Sequence, residues 1–435
     1  MTPITHRRVL GIALPIVLSN ATVPLLGLVD TFAVGQLGRA EPIGAVGLGA
    51  IILSAIYWIF GFLRMGTTGM VAQAAGRGDI AERDAHLARA LIIAVGGGLA
   101  LIALQVPIFA AALTISDGSA EVETLAQGYL GLRIWGAPFA IAVYALTGWL
   151  IAVERTRAVL VLQLAMNGTN IALSLLFVLG FDWGVTGVAL ATVIAEIMGA
   201  LIGLALCREV FAAAHWRDRA RVLDPARLKP LIATNTDILI RSVLLQVCFM
   251  SVTFRAAALG DVTLAANQIL LQFLYLSAYA LDGFAFAAEA LVGSAFGAGD
   301  RARIRRSAWL TSFWALGVVL LLTGVYAILG GAFIEGMTTA EPVIAAAREY
   351  LPWMVLAPLV GLPCFMLDGI FIGATRTRDM RNMMIVSALA YFAILTLAVP
   401  IWGNHGLWGA LMSFFVLRGL TLGVRYPALE RAAVG

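Results

Sequence analysis

The residue that most directly suggests chemistry is Asp30. It stands in the apolar string LLGLVDTFAVG, with no basic residue within eight positions on either side. An ionisable group in such surroundings is costly to charge, so it is usually either paired or functional. An isolated carboxylate in a medium of low dielectric constant can gain and lose a proton close to neutral pH. We therefore predict that Asp30 couples proton movement to another process. The alternative is that it only accepts hydrogen bonds from a neighbouring helix.

Two prolines, Pro15 and Pro24, share an apolar segment with Asp30. Proline removes a backbone hydrogen bond and permits a kink inside a helix. A titratable group on a helix with two hinge positions suggests that a change of charge at Asp30 changes the shape of that helix. We therefore predict that Pro15 and Pro24 are hinges.

Other polar side chains fall on shared helix faces further along the chain. Asn167, Asn170 and Ser174 recur at positions i, i+3 and i+7 of one apolar segment, which places them on one face. Thr192 lies in the next apolar segment. We predict that these four side chains form a hydrogen-bonded network around Asp30. The alternative is ordinary hydrogen bonding between membrane helices.

The second half of the chain carries ionisable groups of its own at membrane depth. They are Asp282, Glu289, Asp368, Arg241 and Arg64. We predict that most of them form structural ion pairs. The alternative is that they form a cation site or a second proton site. Arg241 follows Asp237 by one helical turn, so we expect these two to pair. Arg64 has no acidic neighbour in the sequence, so we expect it to reach an acid of this set across a helix contact.

The elements that position these residues follow from composition. Hydrophobic residues make up 61% of the chain and charged residues 12%, against roughly 45–50% and about 25% in soluble proteins. Lipid must therefore be the solvent for much of the surface. Twelve apolar segments are near or above the roughly 20 residues that span a bilayer. They are 9–37, 43–74, 87–113, 122–152, 159–179, 184–206, 231–258, 262–296, 307–331, 342–372, 383–400 and 405–425.

The chain also contains an internal repeat. AQAAGRGD (72–79) recurs as GSAFGAGD (293–300), and the segment that begins at Tyr129 recurs from Tyr350. Six helices per half is an even number, so both halves enter the membrane from the same side as parallel repeats. We predict an all-α integral membrane protein with twelve transmembrane helices in two six-helix bundles. Its expected parts are an N-lobe (1–215), a cytoplasmic linker (216–230) and a C-lobe (231–435).

Charge and motifs narrow the function classes. Most Lys and Arg residues fall at the N-terminus and in every second loop, so we expect a multi-pass protein of the inner (cytoplasmic) membrane with both termini in the cytoplasm. The arginines are scattered over separate loops, which argues against nucleic acid as a partner. The three cysteines lack metal-ligand spacing, and the four histidines lie in tails or loops. We expect no metal, no cofactor and no enzyme activity.

Four strings resemble the multidrug and toxic compound extrusion (MATE) family. They are PLLGLVDTFAVGQLG in the first predicted helix, FLRMGTTGMVAQAAG in the second, GWLIAV in the fourth, and DGIFIGATRTRDMRN in the second half. The resemblance covers essentially the whole chain and is closest to the DinF-like branch. It implies two six-helix lobes around a cleft. It also implies efflux of bulky, often cationic amphiphiles in exchange for protons or sodium.

The resemblance also implies roles for individual residues. An aspartate in the first helix is the family's coupling carboxylate, and Asp30 matches it. A proline about four turns earlier is associated with bending, and Pro15 matches it. The fifth helix of the family often carries Asn-x-x-x-Asp. Here Asn170 matches the asparagine, but Ser174 replaces the aspartate. A single carboxylate favours protons over sodium, because hard cations prefer several oxygen ligands.

We therefore predict a proton-coupled multidrug efflux antiporter that works by alternating access between two lobes. Its expected partners are small amphiphilic or cationic substrates, protons and membrane lipid, and we expect a monomer. A sodium-coupled version of the same antiporter is one alternative. A lipid-intermediate flippase of related fold is another. It would need several basic residues for pyrophosphate, and those available are Arg64, Arg133, Arg241 and Arg255. A non-transporting scaffold or receptor would not need an isolated carboxylate beside two prolines.

Overall fold

The protein is helical throughout the residues that its structure, a computed structural model, describes: 3–114, 119–213 and 215–433. No strand occurs in these ranges. The first part of the chain forms α1 (His6–Asn20), α2 (Val23–Gly35), α3 (Ala40–Ile59), α4 (Gly61–Arg77), α5 (Ile80–Ala103), α6 (Gln105–Leu113), α7 (Ala120–Arg133), α8 (Ala137–Ala152), α9 (Thr156–Leu175), α10 (Gly184–Leu206), α11 (Arg208–Ala212) and α12 (Arg219–Val222). Longer helices follow: α13 (Pro225–Ala258), α14 (Asp261–Gly297), α15 (Arg301–Met337), α16 (Glu341–Gly373) and α17 (Thr377–Ala432). The all-α prediction is confirmed.

By its internal contacts the chain divides into two compact units. The N-terminal unit comprises Leu18–Val71 and Asp79–Leu231. The C-terminal unit comprises Met1–Val17, Ala72–Gly78 and Ile232–Gly435. The core of the C-terminal unit includes the fully buried Trp408 and Tyr391, whereas that of the N-terminal unit is built around smaller groups of buried side chains. The predicted lobe boundaries at 215 and 231 stay a prediction.

The helices are long and apolar enough for a membrane. Eleven helical stretches among the described residues meet the length and hydropathy needed to cross it. The last of them, α17, has 56 residues, and as one straight helix at 1.5 Å per residue it would be about 84 Å long, far more than the hydrocarbon core of about 30 Å. Gly403 interrupts it with φ 54° and ψ −128°. The two arms of α17 therefore correspond to the two predicted segments 383–400 and 405–425.

The predicted first segment, 9–37, is not one continuous helix. It is divided into α1 and α2, with two turn residues between them. Pro24 has no N–H to donate to the carbonyl of Asn20, and its ring would clash with that carbonyl, so α1 ends there. Pro24 instead lies in the first turn of α2, where the missing N–H is not needed. Pro15 lies inside α1. The break between α1 and α2 therefore directly precedes Pro24, and the role of Pro15 and Pro24 as hinges stays a prediction.

Residues at equivalent positions of the internal repeat make the same close contact in both units. A Cβ atom on Gly148 would lie 2.5 Å from the carbonyl oxygen of Arg64, and one on Gly369 would lie 2.5 Å from that of Ala285. The two pairs are 221 residues apart, which is also the spacing between the repeated segments 72–79 and 293–300. In each unit, glycine therefore allows one helix to touch the backbone of another, α8 against α4 and α16 against α14.

A second pair of glycines makes equivalent contacts within the C-terminal unit. A Cβ atom on Gly76 would lie 2.1 Å from the carbonyl oxygen of Ser294, and one on Gly297 would lie 2.1 Å from that of Gln73. The same offset relates Gly76 to Gly297 and Gln73 to Ser294. The ends of α4 and α14 therefore touch through backbone on both sides.

The segment predicted as a linker (216–230) is partly helical. It contains α12, and α13 already begins within it. Buried Arg89 of α5 holds α12 in place, donating to the carbonyl oxygens of Val222 at 2.9 Å and Arg221 at 2.7 Å. These two carbonyls lie in the last turn of α12, where backbone acceptors lack helical partners. The linker is therefore fixed against α5 of the N-terminal unit.

Candidate functional site

Asp30 of α2 meets α9 in the N-terminal unit. The hydroxyl group of Ser174 donates a hydrogen bond of 2.8 Å to a carboxylate oxygen of Asp30. Ser174 is fully buried, and Asp30 is partly buried. Among the described residues, no cation forms an ion pair with Asp30. The site is therefore a carboxylate that is held by a neutral donor.

The backbone changes character beside this contact. The α-helical hydrogen bonding of α9 gives way to a π-helical turn, Leu176–Gly180, two residues after Ser174. Such turns are rare and often occur at functional sites. The polar contact and the irregular turn thus lie together at one end of α9.

The other predicted members of the network bind each other or their neighbours. Asn170 donates to Thr192 Oγ1 at 2.8 Å, and Thr192 donates to a backbone carbonyl of α10 at 2.9 Å. Asn167 donates to Thr22 Oγ1 at 2.7 Å. Thr22 lies in the break between α1 and α2 and donates in turn to the carbonyl of Ser19 at 2.7 Å. One face of α9 therefore contacts both the carboxylate of α2 and the break that precedes α2.

Two acceptors on that face are unused. The amide oxygens of Asn167 and Asn170 are buried, and no donor reaches either of them in the structure. An amide oxygen can accept a hydrogen bond from a newly protonated acid, and it can also coordinate a cation. The site therefore has spare acceptors in addition to its one carboxylate.

A buried ion pair lies in the same unit. Arg133 at the end of α7 donates to a carboxylate oxygen of Glu196 on α10 at 2.7 Å. Tyr57 donates to the carbonyl oxygen of Arg133 at 3.3 Å. Nothing in the sequence pairs these two ions, because they lie 63 residues apart on different helices.

In the C-terminal unit, the predicted pairing of Arg241 with Asp237 is wrong. Arg241 instead forms an ion pair with Asp368 of α16, and Arg418 of α17 donates to the same carboxylate oxygen. Asp237 accepts from Arg381 at 2.6 Å instead. A cross-helix contact therefore replaces the one-turn contact. Sequence reasoning overlooked Arg418, although a charged residue inside the apolar segment 405–425 was a usable signal.

The remaining candidates have defined positions. Asp282 and Glu289 lie on α14, where Glu289 is buried. Arg64 lies on α4. Pro15 lies inside α1, and Pro24 lies in the first turn of α2. The expectation that Arg64 pairs with an acid of the second half stays a prediction.

Comparison with known proteins identifies the family. The MatE family model matches residues 15–176 and 238–397. The chain is 41% identical to DNA damage-inducible protein F of Escherichia coli strain K12, over 94% of this chain and 90% of that protein. It is 29% identical to a probable multidrug resistance protein NorM of Bradyrhizobium diazoefficiens, over 98% of this chain and 94% of that protein.

Solved structures share the fold. The bent form of the Vibrio cholerae MATE transporter VcmN superposes with a TM-score of 0.86 at 19% identity, covering 98% of this chain and 97% of that one. A MOP superfamily transporter from Pyrococcus furiosus superposes with a TM-score of 0.85 at 18% identity, covering 99% and 97%. The family consists of transporters, which excludes an enzyme. The chain is a multi-pass membrane protein and belongs to the MatE family of multidrug efflux transporters, in its DinF-like branch.

Proposed function

We propose that the protein exports small amphiphilic, often cationic compounds in exchange for protons, and that Asp30 carries the proton. The observation that supports this most directly is the contact between Asp30 and Ser174. A carboxylate held by a neutral hydroxyl group at 2.8 Å, with no cation paired to it in the described part of the chain, can exchange protons without first breaking an ion pair.

Protonation would change the hydrogen bonding of this site. A carboxylate only accepts hydrogen bonds, whereas a carboxylic acid also donates one. The unused amide oxygen of Asn170 lies one helical turn from Ser174, on the same face of α9, and is an acceptor for such a donor. The contact with Ser174 can then rearrange without leaving a buried donor unpaired.

This rearrangement would also affect the break between α1 and α2. Asn167 lies one turn from Asn170 on α9 and holds Thr22 between α1 and α2. A shift of α2 relative to α9 therefore alters the support of the break. We propose that α1 and α2 change their mutual angle with the protonation of Asp30, the hinge being the break before Pro24 together with Pro15.

Protons are favoured over sodium because the site has one carboxylate. The resemblance to the family implies an aspartate where this chain has Ser174, so a sodium ion at Asp30 would find a single charged ligand. One observation favours the sodium-coupled alternative: the amide oxygens of Asn167 and Asn170 are buried and unused, and they are suitable neutral ligands. Transport measurements with and without sodium distinguish the two.

The pairing of the arginines argues against the flippase alternative. Two of the four that could bind pyrophosphate are already paired in the structure, Arg133 with Glu196 and Arg241 with Asp368. Cationic substrates suit Asp30 instead, since substrate and proton would compete for one negative charge. We further propose the inner membrane with cytoplasmic termini, from the distribution of arginine, and a monomer.

The test is proton movement in proteoliposomes. The purified protein is reconstituted with a pH-sensitive dye in the lumen, and a lipophilic cation is added outside in sodium-free choline buffer. We expect the cation to drive proton movement at the same rate in choline and in sodium. A strict requirement for sodium would overturn the proton assignment, and no ion movement with either cation would overturn antiport.

A further inference from the structure

A large apolar groove lies in the N-terminal unit, between α5 and the linker. Its volume is about 770 Å³, within the roughly 300–1,000 Å³ of pockets that bind small molecules. Leu91, Ile92 and Val95 of α5 line one wall. The other wall includes Phe211 of α11 and Leu223, which follows α12. Ile92, Val95 and Leu223 are about half exposed. In a membrane, lipid is an apolar molecule that can fill such an exposed groove.

The walls of the groove are firmly held. Arg89 of α5 is 2% exposed and donates to the carbonyls that end α12 at 2.7 and 2.9 Å. Its third contact is Glu82, at 2.7 Å, and Glu82 is also paired with Arg227 at the start of α13. The linker therefore stays against α5 without an occupant, and the groove is a preformed site.

The rim of the groove is cationic. Arg217 and Arg219 line it, both are exposed, and neither is ion-paired to any described residue. Asp218, the acid between them in the sequence, binds Arg221 instead, through the backbone N–H at 3.2 Å and the side chain at 3.8 Å. Two positive charges are thus available beside an apolar groove.

Trp216 places this rim at the edge of the membrane. Its ring packs on Phe211 with centroids 5.6 Å apart and lies 5.0 Å from the guanidinium carbon of Arg217, and its N–H donates to the carbonyl of Phe211 at 3.0 Å. Tryptophan and arginine are the residues that typically occupy the boundary between head groups and acyl chains. From this boundary, the wall of α5 continues to Val95, about 22 Å from the start of that helix at Ile80.

We propose that this groove binds an anionic phospholipid, with an acyl chain against α5 and the phosphate on Arg217 and Arg219. Charge selects this occupant, because basic pockets beside membrane helices bind anionic head groups and repel the cationic amphiphiles that the protein exports. A bound lipid would bridge α5 and the linker that leads to α13. The proposal does not depend on Asp30 or on the coupling ion.

The experiment titrates delipidated protein in a neutral detergent with phosphatidylglycerol and with phosphatidylcholine, and counts bound lipids by native mass spectrometry. We expect preferential binding of phosphatidylglycerol to the wild-type protein. The variant Arg217→Gln/Arg219→Gln should bind it about thirtyfold more weakly, from two charges near an anionic head group. The matched control, Arg157→Gln/Arg378→Gln, removes two exposed arginines elsewhere and should bind as the wild type does.

Two further variants test the groove and the independence from Asp30. Ile92→Trp fills the groove and should abolish binding with the rim charges unchanged, and Asp30→Asn should bind phosphatidylglycerol normally. Equal affinity for both lipids, or an equal loss in the two arginine variants, would overturn head-group recognition. Glycerol phosphate that binds as tightly as the lipid would show a simple anion site, and displacement of the lipid by tetraphenylphosphonium would show a substrate site. Either result refutes the proposal.

Discussion

Ser174 and Asp30 are 144 residues apart in the chain, yet the hydroxyl group of one donates to the carboxylate of the other at 2.8 Å. This contact joins α9 to α2 next to the π-helical end of α9. It joins one carboxylate to one neutral hydroxyl group, whereas an aspartate at position 174 would place two carboxylates together. The pair therefore brings a single negative charge to the contact between the two helices.

Replacing Asp30 by asparagine tests the coupling role. Asparagine keeps the size and can still accept from Ser174, but it does not titrate, so we expect normal expression and no export driven by a pH gradient. Uptake of a fluorescent cation into inverted vesicles, whose cytoplasmic face is outside, measures this. Glu349→Gln, which neutralises a half-exposed acid of α16, is the control and should transport normally. Full pH-driven export by Asp30→Asn would disprove the role.

Replacing Ser174 by aspartate tests ion selectivity. The substitution adds a second carboxylate beside Asp30, so we expect sodium to inhibit pH-driven export in Ser174→Asp and to have no effect on the wild type. Ser174→Asn is the matched control, because it adds similar volume without charge. Export in choline and in sodium buffers gives the comparison. If all three proteins respond alike to sodium, the number of carboxylates does not control selectivity.

Asp368 is expected to contribute to stability. Asp368→Asn would leave Arg241 and Arg418 buried without their shared counter-charge, which costs about 3–5 kcal/mol for a broken buried pair. We expect a clear fall in the midpoint of thermal unfolding in detergent. Glu335→Gln, which breaks the half-exposed pair with Arg348, should change it little. Equal midpoints in the two variants would contradict this account.

The repeated glycines should be equally intolerant of a side chain. In Gly148→Ala and Gly369→Ala the new methyl group would lie 2.5 Å from a carbonyl oxygen, and we expect each to lose about 1–3 kcal/mol of stability. Gly168→Ala and Gly317→Ala place a methyl group in open space on a helix and should match or slightly exceed the wild type. Thermal unfolding of the four variants measures this. A loss in only one member of the repeated pair would show that the two contacts are not equivalent.

Much of the fold could be predicted, because the membrane imposes a simple pattern. Apolar length predicted the helical segments, and the offset of 221 predicted the equivalence of Gly148 and Gly369. The contact of Asp30 with Ser174 was also within reach, since an isolated acid and a polar helix face both need partners. The break before Pro24 was harder to predict, because proline is compatible with both a kink and a helix start.

Contacts between distant segments could not be predicted. Arg241 follows Asp237 by one turn, but its actual partner, Asp368, comes from another helix and is shared with Arg418. Sequence spacing describes only neighbours on the same helix. The hydrogen bonds from Arg89 to the end of α12 could not be predicted either. Their acceptors are backbone carbonyls, which every residue carries and no sequence pattern marks.

The paired contacts of Gly76 with Ser294 and of Gly297 with Gln73 have the symmetry of a dimer interface. In a dimer of identical chains with two-fold symmetry, a contact between residue i of one chain and residue j of the other is always accompanied by its reverse. These four residues obey that rule within one polypeptide. The two repeats therefore meet here as two identical subunits would, through an isologous contact made inside one covalent chain.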